Sequence, residues 1–283
     1  MGKDINNDNS FMIRLRSSII LMIVAIAAMV LGGWVLFGVL VLITGIGLME
    51  IFRVVDAHKS GAGVVGYLAA AAWYTVLGLK QAGFDVPVDL QLLVAGFTVL
   101  LLAVYVLTFP KINSEQITMV FFGFFYVAVT LSYIYLVRCG ECGAYTAWLI
   151  FIGSWGSDTC AYCVGRKLGK HKIAPKLSPK KSLEGLIGGI VGAALIGFIY
   201  ALIFKDKLSG TFANPCLTFA IVGGVAAIVS QIGDMAASAI KRNKNIKDYG
   251  TLIPGHGGIM DRFDSVIFIA PICYYLLKLL MKG

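Results

Sequence analysis

Runs of about 20 apolar residues recur from one end of this chain to the other, and a helix of that length matches the hydrocarbon thickness of a bilayer. In lipid the backbone must satisfy its own hydrogen bonds, so such runs are helices rather than loops or open strands. Nine candidate spans are predicted, at 17–31, 34–52, 64–82, 90–109, 117–137, 144–164, 183–204, 216–240 and 264–281. The fold class is therefore all-α, a polytopic integral membrane protein of about nine transmembrane helices. No strand pattern, soluble domain or internal repeat is visible. Of 283 residues, 58% are hydrophobic and 14% charged; a soluble domain is nearer half apolar and about a quarter charged. Arg14, Arg16 and the small-residue stretch at Ala25–Ala27 have the look of a secretory leader. The apolar run nevertheless continues to Ile51 with only a Gly32-Gly33 break, so an uncleaved first hairpin is expected.

The net charge of +9 is explained by topology. With the N-terminus in the cytoplasm, 18 of the 24 Lys and Arg residues fall on the cytoplasmic side, as basic loop residues prefer. Two basic loops, 165–182 and 241–262, then face the nucleotide-containing compartment. No basic stripe with interleaved aromatics appears, so nucleic acid is not an expected partner. The protein is expected to be a multi-pass protein of the cytoplasmic membrane. Residues 1–140 hold about five N-terminal spans, and 141–283 form the C-terminal region that carries the chemistry.

Six cysteines include two Cys-x-x-Cys pairs, Cys139/Cys142 and Cys160/Cys163. Their separation imitates a zinc ribbon. The helical span between them would hold the pairs roughly 25 Å apart, too far for one metal. Cys139 and Cys142 fall in an outward loop where a disulfide is one option. Cys160, Cys163, Cys216 and Cys273 read as packing residues.

Carboxylates carry more information. A central Asp costs about 2.5–3.5 kcal/mol on insertion scales, so intramembrane acids face a cavity, a partner or an ion. Asp158 and Asp234 lie inside spans, and Asp261 and Asp264 at the mouth of the last one. Asp264, at the expected helix start, also suits an N-cap. Ser238 follows Asp234 on the same helix face. Asp158 and Tyr162 share another.

Between the last two spans runs Ser238-Ala-Ile-Lys241-Arg242, then Lys247-Asp248-Tyr249-Gly250, Pro254-Gly255-His256-Gly257-Gly258, and Asp261-Arg262-Phe263-Asp264. Glycines let backbone N–H groups approach phosphates. Lys and Arg balance phosphate charge. Two Asp residues can hold Mg²⁺, which takes other ligands from phosphates and water. The combination points to phosphoryl or nucleotidyl transfer at a membrane surface.

This stretch resembles the signature of the phosphatidate cytidylyltransferase (CDP-diacylglycerol synthase) family. The pattern's fixed positions are filled by Ser238, Lys241, Arg242, Lys247, Asp248, Gly250, Pro254, His256, Gly257, Gly258, Asp261, Arg262 and Asp264. A second block supports it: Asp158, Ala161-Tyr162, Gly165-Arg166 and Gly169, then Ser178-Pro-Lys-Lys-Ser-Leu-Glu-Gly185. Cys160 stands where the family has Gly, Ser182 where it has Thr, and Leu183 where it has Trp. The resemblance is good over roughly 150–283; upstream it amounts only to a row of hydrophobic helices.

The resemblance implies transfer of CMP from CTP to phosphatidic acid, giving CDP-diacylglycerol and pyrophosphate. It assigns metal ligation to Asp234 and Asp261, with Asp264 either joining the metal site or capping its helix. Mg²⁺ is the implied cofactor, with a second, monovalent cation left open, as is a homodimer. Lys180, Lys181, Lys241, Arg242 and Arg262 are candidate phosphate contacts. Ser182, Ser238, His256, Gly257, Gly258, Asp158 and Tyr162 are candidate substrate contacts. The small residues from Gly185 to Ala194 serve close helix packing or a lipid cleft. A transporter, a CTP-dependent polyprenol kinase and a CDP-archaeol synthase are the competing readings.

Overall fold

The computed structural model of the chain describes residues 2–175, 177–255 and 257–282, with side chains at residue 12 and from residue 16 onward. Helix α1 is Gly2–Leu31, α2 Gly33–Arg53, α3 Gly61–Gln81 and α4 Leu90–Thr108. Next come α5 (Ser114–Gly123), a π-helical segment at Phe124–Val129, and α6 (Thr130–Cys139). The short helices α7 (Gly143–Thr146) and α8 (Trp148–Phe151) lead through a second π-helical segment, Ile152–Gly156, into α9 (Ser157–Leu168). A hairpin of β1 (Lys172–Ala174) and β2 (Ser178–Ser182) precedes α10 (Leu183–Ile203), α11 (Lys205–Leu208), α12 (Pro215–Asn243) and α13 (Met260–Leu280).

Among the described residues, seven helical stretches are long and apolar enough to cross a membrane: α2, α3, α4, the run Ser114–Cys139, α10, α12 and α13. The Arg16–Leu31 part of α1 is a shorter apolar helix that falls below that length. The expected span at 144–164 is helical but broken into α7, α8, a π turn and α9. The Gly32-Gly33 break is a sharp turn, both residues having positive φ (61° and 48°), which glycine adopts without a Cβ penalty.

Two expectations are corrected. The sequence showed no strand, yet Ser178–Ser182 pairs antiparallel with Lys172–Ala174. Its composition, Ser-Pro-Lys-Lys-Ser, has no apolar alternation to reveal a strand, and Pro179 is tolerated because two-stranded pairing leaves an open edge. The last helix begins at Met260 rather than 264. Asp264 therefore sits in the second turn and is not its N-cap.

The chain forms two compact units, Met1–Ser132 with Asp248–Arg262, and Tyr133–Lys247 with Phe263–Gly283. In the first, Leu48, Ile51, Phe52, Val120, Phe124, Val127 and Leu131 are fully buried. The Phe52 ring lies in a notch cut by two glycines: a Cβ on Gly66 or on Gly123 would meet it at 2.8 Å. Helix α4 turns most of its surface outward, with Leu92, Val99, Val106 and Leu107 exposed, as a lipid-facing helix does.

In the second unit, α10 packs between α9 and α12 along a small-residue face. A Cβ on Gly185 would meet the Ala161 carbonyl oxygen at 2.9 Å, and one on Gly189 the Ser157 Oγ at 2.9 Å. Gly188 faces Val164 and Gly192 faces Cys160, while Gly197 lies on the Phe219 carbonyl. Close packing accounts for these glycines. The opposite face of α10 exposes Ile187, Val191, Leu195 and Leu202. Ser154 and Ser265 share a 2.7 Å hydrogen bond that ties α13 to the π segment.

All six cysteines are free thiols. Cys216 and Cys273 are buried and Cys160 packs on α10, but Cys163, read as a packing residue, is exposed.

Candidate active site

The second unit gathers charge around one aspartate. Asp234 lies in α12, nine residues before its end. Lys181 Nζ, from strand β2, donates to Asp234 Oδ2 over 2.7 Å, and about a quarter of each side chain is exposed. Gln231, one turn before Asp234, is buried and donates through Nε2 to Asp158 Oδ1 at 3.2 Å. Asp158 lies within electrostatic reach of Asp234 and Lys181. Asp264 touches Asp234 and lies within reach of Lys241; its Oδ1 also accepts from the Ser265 N–H at 2.9 Å. Asp158, Asp264 and Lys181 thus surround Asp234, with Lys241 in reach of Asp264. Gly233 allows this closeness, because a Cβ there would meet the Asp264 carbonyl at 3.0 Å and the Phe268 ring at 2.8 Å.

Beside this cluster opens a cavity of about 510 Å³. Arg166, Lys172, Lys180 and Lys181 supply its positive charge, Asp158 its one carboxylate, and Tyr162, Gln231 and Ser182 further polar groups. Its excess of cations suits an anionic ligand. Tyr162 is exposed, with Arg166 donating weakly to its hydroxyl at 3.4 Å. The Ser182 hydroxyl has an internal partner: it accepts the Gly185 N–H at 3.2 Å and so caps α10. A Ser in place of Thr preserves that cap. Position 183, Leu in place of Trp, is exposed. Lys241 and Arg242 occupy the last turn of α12, where cations complement the helix dipole. Ser238 lies one turn after Asp234 and is partly buried.

In the first unit the loop 248–262 closes on two buried carboxylates. Asp261, 7% exposed, accepts through Oδ2 from the N–H groups of Tyr249 (2.8 Å) and Gly258 (3.0 Å). Glu50, 2% exposed in the last turn of α2, accepts from Ile259 N–H through Oε1 (3.0 Å) and from Met260 N–H through Oε2 (2.9 Å). Ile253 N–H bonds to the Gly257 carbonyl at 2.9 Å. Gly257 has φ +84°, and a Cβ there would meet Asp261 Oδ2 at 2.9 Å. Arg262 Nε is buried without a hydrogen-bond partner, a donor suited to a ligand oxygen. His256 lies outside the described residues.

Sequence reasoning missed Glu50 and Gln231. Glu50 is the only acidic residue of the 34–52 run, and the test applied to Asp158 and Asp234 would have found it. Among the described residues no group of three or more His, Cys, Asp or Glu side chains forms a metal cage.

The model of the cytidylyltransferase family matches residues 12–280. The phosphatidate cytidylyltransferase of Staphylococcus haemolyticus is 32% identical over 266 residues, which cover 94% of this chain and 98% of the relative. That of Thermotoga maritima is 32% identical over 244 residues, 79% and 90% of the two chains. That of Bacillus subtilis is 30% identical over 245 residues, 84% and 88%. On the match along almost its whole length, this chain belongs to the cytidylyltransferase family.

Proposed function

We propose that the protein transfers CMP from CTP to phosphatidic acid, releasing pyrophosphate and leaving CDP-diacylglycerol in the bilayer. The observation that carries this reading is the cationic cavity of Arg166, Lys172, Lys180 and Lys181 beside the Asp234 cluster. The relatives named phosphatidate cytidylyltransferase, matched over most of their length, give the substrates.

In the reaction a phosphatidate oxygen bonds to the α-phosphorus of CTP. The bond from that phosphorus to the bridging oxygen breaks, and its electron pair leaves with pyrophosphate. The nucleophile is already anionic, so bringing two anions together is the larger barrier. Lys180, Lys181, Arg166 and Lys172 neutralise phosphate charge in the cavity. Lys241 and Arg242, in the last turn of α12, serve the same end. Gln231 holds the Asp158 carboxylate in one orientation.

A divalent cation fits the donor set. Asp234 and Asp264 are touching carboxylates, and Mg²⁺ commonly uses one or two carboxylates together with phosphate oxygens and water. The resemblance also names Asp261, which in the first unit accepts the Tyr249 and Gly258 N–H groups through Oδ2. When bound, the ion supplies charge neutralisation and orientation of the phosphates. The N-terminus and the two basic loops face the cytoplasm in this reading.

Mass spectrometry of the lipid formed from CTP with phosphatidic acid, and in parallel with a polyprenol, tests the proposal. A CDP-lipid supports it. A lipid monophosphate formed from a polyprenol indicates a kinase, and no nucleotide-dependent product from folded protein indicates transport.

A further inference from the structure

Buried acids inside apolar helices are expensive, and Glu50 is both buried and unused by the chemistry above. Its two oxygens each take one backbone N–H, at Ile259 and Met260. These are the donors at the start of α13, which lack partners inside the helix. A helix N-terminus is ordinarily capped by its own Ser, Thr, Asp or Asn, and this one is buried, with Ile259, Met260 and Asp261 each under 10% exposed. Here Ile259 stands at that position and has no side-chain acceptor. The cap comes instead from a residue 209 positions away in sequence. A local N-cap would serve the N–H groups one or two residues further on, and it would leave the loop free of α2.

Two glycines report how closely the loop is fitted to this side chain. A Cβ on Gly250 or on Gly258 would fall on the Glu50 carboxyl group. Neither glycine has a positive φ. They are required for the space that Glu50 occupies and not for backbone conformation. The clamped residues lead directly into Asp261, whose own carboxylate takes the next N–H back, at Gly258. The Glu50 clamp thus sets where α13 begins and how Asp261 and Arg262 are presented.

We propose that Glu50 is a positioning residue for cytidylyl transfer, acting through the glycine loop and the first turn of α13 rather than by touching substrate. The proposal rests on the function proposed above for its kinetic part; its structural part does not.

The test uses the full-length protein in detergent micelles, with Glu50→Gln as the near-isosteric variant. Its amide sets an N–H donor against one of the two backbone donors. Hydrogen–deuterium exchange of peptides covering 257–263 should speed up about tenfold or more while peptides from α10 and α12 stay as in wild type. In the same preparation kcat should fall about 10- to 100-fold, the range typical of groups that orient a ligand-bearing side chain. KM for CTP should change less than about threefold, because the cationic cavity is untouched. Glu50→Asp, which keeps the charge on a shorter arm, should recover part of kcat. The glycines supply an independent arm. Gly258→Ala should lower kcat in the wild-type background, and have a much smaller effect when added to Glu50→Ala. Unchanged exchange at 257–263, wild-type kcat in Glu50→Gln, or full additivity of the two substitutions would each overturn the proposal. If the wild type makes no CDP-lipid, the proposed function fails, and the exchange result still decides whether Glu50 holds the loop.

Discussion

Lys181 and Asp234 meet at 2.7 Å, a strand residue reaching an aspartate of a membrane helix fifty-three positions later. The pair does two things at once. It places a cation at the edge of the cavity, and it fixes the hairpin against α12. Because about a quarter of each side chain is exposed, water screens the pair and its contribution to stability is on the order of 1 kcal/mol.

Lys181→Met should therefore leave the melting temperature close to wild type. It should lower kcat/KM for CTP at least about tenfold, the scale of removing one charge-assisted hydrogen bond to an anionic substrate. Lys181→Arg should retain part of that activity. Steady-state kinetics beside a thermal melt checks both halves.

The remaining cavity cations should behave as additive binding groups. Arg166→Gln or Lys180→Gln should raise KM for CTP about three- to tenfold with little change in kcat, because each removes ground-state attraction. Raising the ionic strength should weaken wild-type binding more than that of either variant. Initial rates across a salt series decide this.

Glycine substitutions on α10 and α2 should separate packing from exposure. Gly192→Ala places a Cβ on Cys160, and overpacking of this kind costs about 1–3 kcal/mol. Gly38→Ala on α2 meets nothing within 4 Å, and should be neutral or stabilise by up to about 1 kcal/mol through helix propensity. Thermal melts in one detergent compare the two.

Gln231→Leu removes the hydrogen-bond donor from Asp158 Oδ1 inside a partly buried site. Leaving a carboxylate without its donor costs about 1–3 kcal/mol. The variant should lose activity more than tenfold, and Gln231→Glu should lose it further by setting a second negative charge against Asp158. The rate of pyrophosphate release measures both.

The helices were legible because a bilayer imposes length and apolarity together, and α2, α4, α10 and α12 begin and end within a few residues of the apolar runs that announce them. What escaped depended on partners remote in sequence. The apolar pattern puts the start of α13 four residues late, because the donors at its start are met by Glu50 and not by a local side chain. The β hairpin escaped because Ser178–Ser182 is polar, short and interrupted by Pro179. Asp158 and Asp234 were visible as acids in apolar helices, but their neighbours Gln231 and Lys181 became apparent only from distance. Gly258 looked like a phosphate-approach glycine; its N–H is bonded to Asp261 and its open side faces Glu50.

The central claim, that the Asp234 cluster drives cytidylyl transfer, is tested most directly with purified protein, CTP, phosphatidic acid and Mg²⁺, beside the Asp234→Asn variant. Wild type should release pyrophosphate and CDP-diacylglycerol in equal amounts, and the folded variant should fall by at least about a hundredfold, the scale of about 3 kcal/mol of transition-state stabilisation. A folded Asp234→Asn protein that turns over like wild type would contradict the account.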